Sequence, residues 1–169
     1  RRSIRKFENR SVEQEKVEKL LQAALLAPSS KKSQPWEFVI VTDKDLMEKL
    51  STSREQGAEF MKGAPLAVII LADPLKSTVW VEDAAIAATL IHLESTALGL
   101  GSCWVQVRNR ACDAACSTEA FIRELLGIPK ERNVVAMIAV GYPAEYKPAY
   151  TEGDLPKGKI FVNRYGVGR

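Results

Sequence analysis

The chain has 169 residues, 46% of them hydrophobic and 27% charged, with a net charge of +3. That balance excludes a disordered or low-complexity chain and predicts a single domain spanning residues 1–169 with one substantial core. The mild positive charge admits an anionic ligand but lacks the dense basic face of a nucleic-acid binder, and the apolar stretch Ala84 to Leu93 is too short and too polar for a membrane span.

In chain order, the opening places four cations in six residues: Arg1, Arg2, Arg5 and Lys6. Ser11 and Gln14 have capping-box spacing, and Val12, Val17, Leu20, Leu21, Ala24 and Leu25 recur at helical intervals. Pro28 should stop that helix near Ala27. A polar run from Ser29 to Gln34 leads through Pro35 into a buried strand, Trp36 to Thr42, followed by a short helix over Asp43 to Leu50. Glu55 to Lys62 reads as helix, Gly63-Ala64-Pro65 as its break, and Leu66 to Ala72 as a strand covered on both faces. Asp83 to Leu98 is the longest predicted helix, rich in alanine and ended by Gly99 and Gly101. Ser102 to Val107 reads as extended, Ser117 or Thr118 as the cap of a helix reaching Leu126, and Asn133 to Val140 as a further strand. A polar tail, Ala144 to Lys159, then ends in a strand-like apolar burst, Ile160-Phe161-Val162. The pattern predicts an α+β fold in which helices cover a small sheet.

Three cysteines, 103, 112 and 116, argue against a secreted disulfide framework and for a reducing, cytoplasmic setting. The opening on Arg1 leads us to expect residues upstream, and no charged-then-apolar leader is visible. Cys112 and Cys116 would share a face if helical, yet with one remote histidine they complete no zinc set, so no metal is expected and the thiols read as incidental. His92, inside an apolar helix, reads as a core residue, and Cys103 as a packing residue. Gly99-Leu100-Gly101 follows a helix where a dinucleotide turn would open one, and no phosphate loop or nucleophile elbow is present.

Three segments carry chemistry. Arg1-Arg2-Ser3-Ile4-Arg5 could clamp a phosphate, or be a solvated terminal arm. Pro28-Ser29-Ser30-Lys31-Lys32-Ser33-Gln34-Pro35-Trp36 is a stiff polar loop able to read the edge of a planar heterocycle, or an ordinary helix-to-strand connection. Gly99 to Gln106 allows close backbone approach with Trp104 along a ring, or is a helix stop with a core tryptophan.

In this order and at these intervals, with Gly141-Tyr142-Pro143 and Asn163-Arg164-Tyr165-Gly166 behind them, the segments resemble the nitroreductase-like flavoprotein superfamily, in its small-subunit branch. The resemblance implies an α+β homodimer whose 144–169 tails wrap the partner and whose two FMN molecules sit at the interface. It matches Arg1, Arg2 and Ser3 to phosphate and ribityl contacts, and Arg5 to the cation beside the flavin pyrimidine. Pro28, Ser29, Ser30 and Lys32 match the loop laid against the ring by the partner subunit. Trp104, Val105 and Gln106 match the strand behind the ring, with the Gln106 backbone N–H aimed at N5. Lys32 stands where many relatives carry an amide. Lys159, with Lys157 second, stands in for a tail arginine that 153–159 lacks.

The implied activity is hydride transfer from NADH or NADPH through FMN to a nitroaromatic, quinone or similar small-molecule acceptor, by a ping-pong mechanism, without nucleic acid or membrane. A fixed guanidinium such as Arg5 favours the reduced, negatively charged ring over the oxidised one, so no protein acid or base is obligatory. Variable loops at Thr52 to Lys62 and Arg108 to Ser117 are expected to set acceptor choice. Alternatives are reductive dehalogenation or flavin fragmentation in the same superfamily, and a non-enzymatic module binding an anion or nucleic acid.

Overall fold

Two central strands buried on both faces organise the molecule, seen here in a computed structural model that describes residues 1–167. Four antiparallel strands, β1 (Trp36–Val41), β2 (Leu66–Ala72), β3 (Gly101–Gln106) and β4 (Asn133–Gly141), lie in the order β1-β2-β4-β3. Leu66, Val68, Ile70 and Ala72 of β2 face α1 (Gln14–Leu25) and α3 (Trp80–Ala97). Ala67, Ile69 and Leu71 face α2 (Lys44–Ser51) and α4 (Thr118–Leu126). Both faces are therefore dry, which is why β2 reads as an unbroken apolar run. Truncating Ile69 or Ile138, both at 0% exposure, to alanine should cost about 2–5 kcal/mol.

β4 carries a bulge: Ile70 pairs with Ala136 and Leu71 with Val134, leaving Val135 as an extra residue. Val135 and Ala136 consequently both join the core under α1 and α3. Alanines 84 and 88 of α3 are fully buried and let that helix lie close to the sheet. The α+β fold with a small helix-covered sheet is as expected.

An element with no signature in the sequence is the N-terminal arm. Ser3 forms a parallel bridge with Ser102 and Phe7 an antiparallel bridge with Pro143, so the arm starts on the outer edge of β3 and its residues 6–8 pair with the segment that follows β4. Gly101 and Gly141, directly opposite in the β3–β4 register, make the room. A Cβ on Gly101 would lie 2.7 Å from Ile4 Cβ, and one on Gly141 2.6 Å from Pro65 Cδ.

Several expectations need correction. The first helix begins at Gln14 with Glu13 as its N-cap, and Ser11 makes no capping box. The Glu13 carboxylate instead accepts from Tyr142 Oη (2.6 Å) and Arg10 (2.7 Å), and the Tyr142 hydroxyl, with the Glu13 backbone and Arg10, holds it at about 2. Glu55 to Lys62 contains only a 3-10 turn, Glu59–Gly63, and α3 starts a turn early at Trp80. Cys112 and Cys116 lie on a hairpin, not a helix. Ile160-Phe161-Val162 is no strand: the tail forms two short 3-10 turns, and these three side chains are 46%, 38% and 43% exposed.

Candidate functional site

Along β3 the backbone amides alternate between β4 and the outer edge. The Val107 N–H donates to Val135 O across to β4 (3.4 Å), whereas Ser102 O accepts the Ile4 N–H of the arm (3.1 Å). By that alternation the amides of Trp104 and Gln106 point outward, past the arm's bridge at Ser102. Trp104 Nε1 donates to Gln106 Oε1 (2.9 Å), and Gln106 Nε2 to Arg108 O (2.8 Å). The Arg108 guanidinium lies 5.7 Å above the Trp80 ring. His92 stacks 6.5 Å from Trp104 and shares a hydrogen bond between Nδ1 and Ser102 Oγ (2.7 Å). Burial first, and Arg1 second, push His92 down to about 4, so the imidazole is neutral at neutral pH. Val105 turns the other way, fully buried in the core under α2 and α4, so it offers the site backbone only. Cys103 is buried too, and burial raises its thiol.

The arm brings its cations to this edge. Arg1 is exposed and 3.5 Å from Ser3 Oγ, and Arg5 is exposed with its guanidinium 5.9 Å above Phe60. Arg2 is differently engaged: it donates to Pro148 O and sits 4.4 Å over the Tyr150 ring, tying the arm to the tail. Two residues that sequence reasoning missed clamp the arm. Glu145 Oε1 accepts the Arg5 N–H (2.6 Å) and Lys6 N–H (3.3 Å), and Lys147 Nζ donates to Ser3 O (2.6 Å). The Arg5 amide, and then Lys147, hold the Glu145 carboxyl below the usual carboxylate range. Lys159 lies in an exposed tail turn, and Lys157 pairs with Glu152 at 2.7 Å.

The second group is the loop between α1 and β1. Lys31, Lys32 and Gln34 have φ of 51°, 56° and 45°, a left-handed conformation that costs non-glycine residues roughly 1–3 kcal/mol each. Buried Asp83, in the first turn of α3, secures it: Oδ1 accepts the Ser30 N–H (2.9 Å) and Oδ2 the Ser77 hydroxyl (2.8 Å). Ser29 Oγ accepts the Gln34 N–H (3.0 Å), and Pro35 O accepts the Asp73 N–H (2.8 Å). Pro28, Ser30 and Lys32 are exposed, and the buried Ser33 hydroxyl finds no partner among the described residues. Asp83 was missed because it acts on Ser30 from 53 residues away.

These two groups do not meet within the chain. The arm flanks β3 and the loop feeds β1, the opposite edges of the sheet, three inter-strand steps apart or roughly 14 Å at about 4.8 Å each. The helix above agrees: Asp83 and His92 are nine residues apart on α3, also about 14 Å. Meanwhile Leu25 and Leu26 after α1, Ile86 and Leu93 of α3, and the tail's Ile160 remain exposed. Among the described residues no helix is long and apolar enough to cross a membrane.

The chain superimposes on an FMN-dependent nitroreductase from Clostridium difficile R20291 with a TM-score of 0.96 and 49% identity, covering 98% of this chain and 96% of that one. A protein of Archaeoglobus fulgidus, provisionally named NADH dehydrogenase/NAD(P)H nitroreductase, is 37% identical over 91% of this chain and 87% of its own. An iodotyrosine deiodinase from Haliscomenobacter hydrossis is more distant, 24% identical over 86% of this chain and 77% of its own. The profile of the Nitroreductase family matches residues 1–57 and 52–142. The chain belongs to the Nitroreductase family.

Proposed function

We propose that this chain is an oxidoreductase that binds FMN non-covalently and, with it, moves hydride from NADH or NADPH to a nitroaromatic, quinone or similar small acceptor. The observation that carries this reading is the pair of half-sites on opposite sheet edges. Each is held in place by its own clamp, and each presents donors outward. One planar cofactor touching both is reached only when the loop of one chain meets the β3 edge of another, so the working unit is a homodimer.

The residues suit such a group. Arg1 and Ser3 hold the phosphate and ribityl end, and Arg1 carries most of the charge there because Arg2 is engaged by Pro148 and Tyr150. Arg5 places a permanent positive charge by the ring edge where negative charge gathers on reduction. The outward Gln106 N–H supplies a donor to N5, with its side chain held by Trp104 and Arg108. Pro28, Ser29, Ser30 and Lys32 of the partner close the other side. Lys159, with no ion pair among the described residues, completes the phosphate contact from the tail. His92 stays neutral and buttresses Ser102 and Trp104, moving no proton. The exposed apolar side chains of α3 and of residues 144–167 are the surface that a partner subunit covers.

Donor and acceptor then use one ring face in turn, so initial-rate plots at several acceptor concentrations should be parallel. The purified protein should be yellow, with a flavin spectrum released by denaturation. Intersecting plots, or a folded protein that takes up no FMN, would overturn this reading.

A further inference from the structure

Between β3 and α4 the chain doubles back in a short hairpin that the proposed function does not use. Ala111 bridges Ser117; the Cys112 N–H donates to Cys116 O at 2.8 Å and the Thr118 N–H to Arg110 O at 2.9 Å. That pattern sets Cys112 opposite Cys116, with both side chains on one face of the hairpin. Opposed residues of this kind have Cα atoms about 5.5 Å apart, inside the window of about 4.4–6.8 Å that a disulfide spans. The turn is already closed without one: Asp113 Oδ1 accepts the N–H groups of Ala115 (2.7 Å) and Cys116 (2.8 Å).

Access favours this pair over the third thiol. Cys112 and Cys116 are half-buried, whereas Cys103 is 1% exposed. Among the described residues the two sulfurs make weak hydrogen bonds: Cys112 Sγ lies 3.8 Å from Thr52 O and Cys116 Sγ 3.3 Å from Ser117 O. A surface hollow of about 520 Å³ lined by Asp113, Cys116 and Ser117 admits a small oxidant.

We propose that Cys112 and Cys116 form a reversible thiol–disulfide pair within this hairpin, with hydrogen peroxide as the oxidant. One sulfur attacks a peroxide oxygen; the O–O bond breaks, water leaves and a sulfenic acid remains. The second sulfur displaces that oxygen as water and the S–S bond forms. Two thiols lose two electrons and two protons, and one peroxide becomes two waters. Burial, then Asp113, Cys116 and Glu55, hold the Cys112 thiol above its ordinary value, which keeps its thiolate fraction low and its attack on peroxide slow. Closure draws the Cys112 sulfur away from Thr52 O and unties the hairpin from the segment after α2. Both segments are those expected to set acceptor choice. That last consequence rests on the proposed function; the disulfide does not.

The test uses the full, folded, cofactor-loaded protein. It is reduced, desalted, exposed to a slight molar excess of peroxide, blocked with N-ethylmaleimide and digested with trypsin. Cleavage after Arg110 and Arg123 yields one peptide, 111–123, holding both thiols and no third. That peptide should emerge unlabelled and lighter by two hydrogens, and dithiothreitol before blocking should restore both labels. In C112S and C116S the remaining thiol should stop at the sulfenic acid. A doubly labelled peptide after peroxide, irreversible acids on both sulfurs, or a disulfide joining two chains would each overturn the pair. A normal disulfide with unchanged acceptor kinetics would leave the pair standing and remove its link to acceptor choice.

Discussion

The arm beside β3 and the loop before β1 hold comparable chemistry in opposite ways. The arm is tied down at the surface by Glu145 and Lys147, side chains that follow the last strand. The loop is locked from within by Asp83, whose carboxylate is 3% exposed and satisfies two donors while three residues sit at positive φ. The arm's ties are hydrogen bonds from half-buried side chains for which water can compete, whereas those to the buried Asp83 carboxylate are shielded from it. The difference teaches that one half of the proposed site is adjustable and the other preset, as suits a cofactor seated between two chains.

The harshest way to break the comparison is to part the chains. Truncation after Gly158 should lower thermal stability, loosen the dimer and release flavin together, measured by calorimetry, sedimentation and absorbance. A stable yellow monomer would show that one chain holds both halves. Next in size is Asp83→Ala, which leaves the Ser30 N–H and Ser77 hydroxyl without their acceptor and should cost about 3 kcal/mol. For a chain of this length that is a fall of roughly 6–12 °C in Tm, and a shift within error would show that the loop needs no anchor.

The arm side also contains a titrating group. His92 is held at about 4 against 6.5 when unfolded, so the unfolded chain binds the extra proton first as pH falls. Stability should therefore be lost between pH 6.5 and 4, by about 3 kcal/mol, and be intact above that window. Denaturation midpoints against pH should lose this slope in His92→Asn; an unchanged slope would place the titration elsewhere.

What could be read in advance follows the range of the interaction. Ser117 caps α4 through Ala120 and Gly127 ends it at φ 65°, both decided within a few residues. The strands declared themselves because both faces of β2 and β4 are apolar. The arm's place on β3 was invisible, since Ser3 and Ser102 find each other only through the tertiary fold. Likewise Glu145 reaches Arg5 across 140 residues, so no spacing announces the clamp. The start of α1 moved because Tyr142, far along the chain, claims the Glu13 side chain. Site residues on the arm, loop and β3 were named from resemblance, and the geometry divides them between two edges.

The finest test separates two cations on one arm. Arg1→Ala should weaken FMN binding by about 1.5–3 kcal/mol and leave the bound flavin's potential nearly unchanged. Arg5→Ala should lower that potential and slow reduction by nicotinamide, with modest loss of affinity. Spectroelectrochemistry on both variants decides it, and equal shifts in potential would merge the two roles.

The facing glycines at 101 and 141 have a consequence for how this sequence can drift. A side chain at position 101 collides with Ile4, so its tolerance is conditional on what position 4 carries; position 141 is bound in the same way to Pro65. Gly101→Ala alone should be rejected in a mutational library and rescued by Ile4→Gly, whereas Ile4→Ala keeps the colliding Cβ and should not rescue it. Positions nearly a hundred residues apart thus behave as one locus under selection, and the arm's seat on the sheet is inherited as a pair rather than residue by residue.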